Sequence, residues 1–192
     1  MGVGAIVGIV IGVIVVLLIL FVVVQYNGLV GKRNEKDNAW SQIDVQLKRR
    51  HDLIPNLIET VKGYAAHERQ TLEAVTTARN LAQSAIGKGV GAQSQAETGL
   101  SGALSRLLAV AENYPDLKAN QNFLALQEEL SSTENKIAFS RQYYNDSILR
   151  YNNKVQMFPS NIVAGMTGFK LGEFFELETP AEREVPKVSF TQ

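Results

Sequence analysis

"AWSQIDVQLKRRHDLIPNLIETVKGYAAHE", residues 39–68, repeats its large side chains every seven residues, and that interval decides the fold. Trp40, Leu47, Ile54, Val61, Glu68, Val75 and Ala82 form one row. Ile43, Arg50, Leu57, Tyr64, Thr71, Ala78 and Ala85 form a second, three residues on. Such a pair of rows is the seam of a long helix with coiled-coil-like heptads. A second arm shows the same interval: Phe123, Leu130, Ile137, Tyr144, Tyr151 and Phe158, with Gln127, Glu134, Arg141, Ile148 and Val155 four residues after them. It is predicted to run from about Asp116 to Phe158, where Pro159 stops it. No segment alternates as a strand does, so the chain reads as all-α, a bundle of long antiparallel helices.

Between the arms, "IGKGVGAQSQAE" (86–97) reads as a flexible loop because three glycines fall within five residues. A short helix is expected from about Thr98 to Asn113, and a kink near 114–116, since Pro115 disfavours helical geometry at Tyr114. Beyond the second arm, the glycine-interrupted, aromatic stretch after Pro159 is expected to dock on the bundle or at a lipid interface. Residues 179–192 read as a loosely held tail after a bundle domain over 26–178.

Ahead of both arms lies "GVGAIVGIVIGVIVVLLILFVVV", residues 2–24, without a charge or a hydroxyl. At about 1.5 Å per residue its length exceeds a hydrocarbon layer of about 30 Å, so residues 1–25 are expected to form a transmembrane helix. A cleaved signal would need a basic start, a shorter apolar run and a small-residue cleavage site, none of which is present. Lys32, Arg33 and Lys36 follow the span closely, which predicts a short N-terminus outside and a cytoplasmic C-terminal domain. The chain carries 19 basic and 19 acidic residues, a balance that argues against nucleic acid as a partner. It has no cysteine and two histidines, which leaves no thiolate metal site and too few imidazoles for a histidine one.

Several residues invite a functional reading. Gly4, Gly8 and Gly12 lie on one face of the span, a doubled small-xxx-small pattern that favours close helix association and hence a homo-oligomer. His51-Asp52 looks like a base with its orienting acid, yet adjacent helical residues point about 100° apart and cannot pair that way. Asp52 reads better as an N-cap, with Pro55 in the first turn, if the helix is interrupted here; if it runs through, Pro55 removes the bond to the His51 carbonyl and kinks it. Lys48-Arg49-Arg50 reads as a solvated face with Arg50 turned into the seam. Folding the arms together about 86–116 predicts a seam ion pair between Glu68 and Arg141. Phe169, Phe174 and Phe175 are candidate aromatics for an interface. No acid, base and nucleophile converge, so no enzyme, cofactor or metal site is expected.

The chain resembles the LemA family of bacterial membrane proteins. The resemblance rests on "YNGLV" (26–30), residues 39–68, "RLLAVAENYPDLKAN" (106–120), "STENKIAFSRQYYND" (132–146) and "YNNKVQMFPSNIVA" (151–164). It covers nearly everything from Tyr26 to about Phe175, apart from the glycine-rich insert. It implies a single N-terminal transmembrane helix, a helical bundle and no established reaction. Family members are similar to proteins encoded near membrane-bound zinc metalloproteases, which implies such a protease as a partner by association. Three roles follow as expectations: a membrane-anchored scaffold that self-associates or organises partners, an adaptor of a membrane metalloprotease in envelope stress, and a membrane-remodelling protein acting through its aromatic C-terminal stretch.

Overall fold

The computed structural model describes residues 2–176, and all regular structure among them is helical. The elements are α1 (Val3–Tyr64), α2 (Arg69–Ala85), α3 (Val90–Ala111), α4 (Pro115–Lys118), α5 (Gln121–Gln156) and α6 (Ser160–Thr167). The tail read from the sequence at 179–192 lies outside the described residues.

The chain packs as two compact units, and the long helices α1 and α5 each contribute a stretch to both. One unit holds Ile43 and the residues before it together with Ser140–Glu173. The other holds Asp44–Phe139 together with residues 174–176.

In the second unit the heptad rows point inward. Leu47, Ile54, Leu57, Val61, Val75 and Ala82 are buried, and Ile54, Leu57, Val61 and Val75 pack with Leu100, Leu104, Leu107, Phe123 and Leu130 in one core. Full burial of side chains of this size is worth about 1.5–3 kcal/mol each, which is what holds helices with mediocre caps in place. α2 and α3 form a hairpin through a turn at 86–89, where Gly87 (φ 79°) and Gly89 (φ 104°) occupy backbone space that other residues avoid.

That turn corrects the expected loop over 86–97. Only 86–89 is outside a helix; from Val90 on the chain is helical, and Gln93, Ser94 and Glu97 are buried on α3. Gly91 and Gly99 each disfavour a helix by about 1 kcal/mol. The burial of Leu100, Leu104 and Leu107 outweighs that cost. α4 follows with Pro115 in its first turn, so the break expected at 114–116 stands as a separate short helix.

α1 runs without interruption from the apolar segment past Pro55 to Tyr64. Asp52 is exposed inside the helix and caps nothing, which corrects the N-cap alternative. Pro55 lacks an N–H, so the His51 carbonyl four residues earlier loses its helical donor. Arg79 on α2 supplies one instead: its Nε donates to the His51 carbonyl oxygen at 2.8 Å.

In the first unit, Trp40 packs edge-on against Tyr144 at 5.2 Å, and Leu29 packs with Val163 and Ala164 of α6. α6 ends on Gly168 in the left-handed region (φ 76°). The chain then runs extended along α5. The Tyr144 hydroxyl donates to the Glu173 carbonyl at 2.9 Å, and that of Tyr151 to the Lys170 carbonyl at 2.7 Å. Asn152 clamps Gly172 from both sides: its side-chain amide donates to the Gly172 carbonyl, and its Oδ1 accepts from the Gly172 N–H at 2.8 Å. A Cβ at residue 172 would stand 2.7 Å from Ile148 Cδ1, the end of that side chain, which would have to shift to admit it. The repeated Tyr-Asn at 144 and 151 therefore holds a C-terminal strap, one tyrosine on each of two helical turns.

Candidate functional site

Arg50, the seam arginine, sits in the second unit with a relative exposure of 2%. A guanidinium buried this far is stable only when its N–H groups meet acceptors. One Nη donates to Glu97, on the α3 stretch that the loop reading had missed. The other donates to Glu134 at 2.7 Å and to the Ser101 hydroxyl at 2.9 Å. Three helices, α1, α3 and α5, therefore meet on one cation.

His51 is equally buried, and its Nε2 stands 2.9 Å from Glu97 Oε1. The acid facing the histidine is thus Glu97 across the core and not its neighbour Asp52, which points to solvent. Burial alone would raise the Glu97 carboxyl. The imidazole of His51 and the positive charge of Arg50 outweigh it and hold Glu97 below the usual carboxylate value. Glu134 differs, with its side chain 49% exposed, so Glu97 is the principal counter-ion.

Beside the cluster is a cleft of about 370 Å³ whose polar lining includes Arg50, Ser101, Ser105, Gln127, Ser131 and Glu134. Chemically the arrangement brings a buried guanidinium, an imidazole and two carboxylates together. The Ser101 hydroxyl is engaged by Arg50, and His51 faces a carboxylate. Among the described residues, no group of three His, Asp or Glu side chains stands close enough to hold a metal ion.

The other sequence-predicted residues are placed as follows. Glu68, expected to pair with Arg141, accepts from the Tyr114 hydroxyl at 2.9 Å, and the fully buried ion pair of the second unit is Arg50 with Glu97. The triplet Lys48-Arg49-Arg50 divides, Lys48 exposed, Arg49 paired with Glu129 at the surface, and Arg50 interior. Gly4, Gly8 and Gly12 stand on the exposed apolar part of α1 with nothing within 4 Å of an added Cβ. Phe175 is buried and Phe169 is packed edge-on to Tyr26 at 6.0 Å with Arg33 over its ring, so neither is a free interface aromatic; Phe174 is 39% exposed. Glu97 was the residue sequence reasoning missed, and the only pointer to it was the need of a buried Arg50 for a carboxylate.

The apolar run at the start of α1 makes it the one helix among the described residues that is long and apolar enough to cross a membrane. The chain is 29% identical over 187 residues to Magnetosome protein MamQ 2 of Paramagnetospirillum magneticum, an alignment covering 85% of this chain and 68% of that one. Magnetosome protein MamQ of Magnetospirillum gryphiswaldense is 27% identical over the same coverage. Protein LemA of Metamycoplasma hominis is 33% identical over 141 residues, 72% of this chain and 63% of the relative. A family model described as the LemA family matches residues 39–190, and with more than half of its length so matched the chain belongs to the LemA family.

Proposed function

We propose that this protein is a non-enzymatic, membrane-anchored helical scaffold that self-associates or organises partners at a bacterial inner membrane. The observation that carries the reading is the continuity of α1. Within the first unit, α1 runs without a break from the apolar span to Trp40, which packs against Tyr144. A helix joining the two is a stiff connection from bilayer to folded domain, which suits positioning more than turnover. The charge cluster supports the same reading, since both Arg50 Nη groups are held by carboxylates and Ser101. The names of the relatives, a magnetosome protein and LemA, denote no reaction. Lys32, Arg33 and Lys36 after the span support a cytoplasmic C-terminal domain.

Self-association is assigned to the glycine face of the span, where Gly4, Gly8 and Gly12 let a second backbone approach closely. Solubilised in mild detergent, the full-length protein is expected to run well above the mass of one chain, and Gly8→Leu to shift it towards the monomer. Light scattering with detergent correction reads this directly. A wild-type monomer across a range of protein concentrations sinks the proposal.

A further inference from the structure

We propose that the corner between α5 and α6, with the outer face of α6, is a second membrane contact: Met157, Phe158, Ile162 and Met166 insert into the headgroup layer of the bilayer that α1 crosses.

The argument starts from register within the first unit. α1 and α5 run antiparallel there: Trp40 lies against Tyr144, Lys36 over the Tyr151 ring, and Lys154 reaches back to Gly28 and Gln25. The Lys154 ammonium donates to Gln25 Oε1 at 2.7 Å. Gln25 is the first polar residue after the apolar run that ends at Val24. Met157 and Phe158 lie one turn beyond Lys154, about 5 Å further towards the span, which brings them to the edge of the hydrocarbon.

α6 then keeps that depth. Its inner face, Val163 and Ala164, is buried against Leu29, which stands about 7 Å along α1 from Val24. A headgroup layer is about 5–8 Å thick on each side of the hydrocarbon, so α6 occupies that layer. Its outward residues are apolar: Ile162 and Met166 are four apart, on one face, and 53% and 76% exposed. Met157 and Phe158 are 62% and 78% exposed. Four large apolar side chains on this corner and the outer face of α6, bordered by Lys154 and by Arg33 over Phe169, have the apolar face and cationic margin of an interfacial segment. The lipid is the occupant this position selects, because the span places it there.

The inference rests on α1 crossing the membrane, and one experiment separates the two claims. The chain has no cysteine, so Phe158→Cys, Met166→Cys, Val16→Cys and Asn38→Cys each give a unique thiol in the full-length protein. Each is labelled with an environment-sensitive fluorophore and reconstituted into phosphatidylethanolamine and phosphatidylglycerol vesicles containing a lipid with a nitroxide near its headgroup. Val16 reports the span, and Asn38 lies about 21 Å past Val24 along the helix. The expected result is emission shifted to the blue and several-fold stronger nitroxide quenching at 158 and 166 than at 38. Water-exposed probes at 158 and 166 with an embedded probe at 16 overturn the second contact and leave the span intact. Probes shielded from water at 158 and 166 but unquenched by the nitroxide also overturn it, in favour of a protein neighbour. A water-exposed probe at 16 overturns the spanning reading and this inference with it.

Discussion

Arg50→Met is expected to cost about 3–5 kcal/mol of folding stability, because it strands a carboxylate in the core. Glu97 is buried to the same degree as Arg50, with 2% of its side chain exposed. Removing the guanidinium leaves it with His51 alone, and the desolvation penalty that the pair had offset becomes a net cost. Glu134→Gln is the comparison. Its carboxylate is half in water, so its loss should cost no more than about 1 kcal/mol. Adding Glu97→Leu to Arg50→Met should recover much of the loss, since an apolar replacement of both partners removes the stranded charge. Denaturant titration of the detergent-solubilised protein, followed by far-ultraviolet circular dichroism, gives all three values. If Arg50→Met costs no more than Glu134→Gln, the cluster is not what locks α1, α3 and α5 together.

The same cluster carries a pH dependence whose sign is fixed by Glu97. Its folded carboxyl lies below the usual 4.5: burial pushes it up, and His51 and Arg50 together pull it further down. The unfolded chain therefore takes up a proton at Glu97 at a pH where the folded chain has not. Its contribution to stability is complete above the unfolded value and is lost as pH falls from there through the folded value. Between those two values, stability should fall less steeply in Glu97→Gln than in the natural sequence. Equal slopes would mean that Glu97 ionises alike in both states.

The apolar span and much of the two seven-residue rows were legible because each depends only on spacing along one helix. The first arm, read as one helix to Ala85, nevertheless breaks between Tyr64 and Arg69, and Tyr64 and Phe158 of the rows are exposed. Ile54, Val61, Phe123, Leu130, Ile137 and Tyr144 all face inward where the seven-residue interval put them. Charge pairing was not legible, because it depends on which helices become neighbours. With the two arms as the only long partners, Glu68 and Arg141 were level. Once α3 begins at Val90, the helix facing Arg50 is a third one, and the carboxylate comes from a segment hidden behind three glycines. The strap that Tyr144, Tyr151 and Asn152 hold was not legible, because it lies beyond the helix and no periodicity announces it.

Arg79→Leu is expected to destabilise the protein by about 1–3 kcal/mol, although Arg79 has no carboxylate partner in its role here. Its Nε serves the His51 carbonyl, the backbone acceptor that Pro55 leaves without a donor. A backbone oxygen in that position must be satisfied by something, and α2 lies where water would otherwise have to enter. Pro55→Ala restores the helical N–H and relieves the ring's pressure on the preceding turn. In that background the His51 carbonyl no longer depends on α2, so the cost of Arg79→Leu should shrink to that of a lost surface contact. The double-mutant cycle isolates the difference, and a coupling above about 0.5 kcal/mol is the expected result. Strict additivity would show that Arg79 acts elsewhere, and that α1 tolerates its internal proline without help from α2. A positive coupling would explain how a helix that begins in the bilayer stays continuous to Tyr64: the orphaned carbonyl is bonded from the side, so the break expected at a proline does not develop.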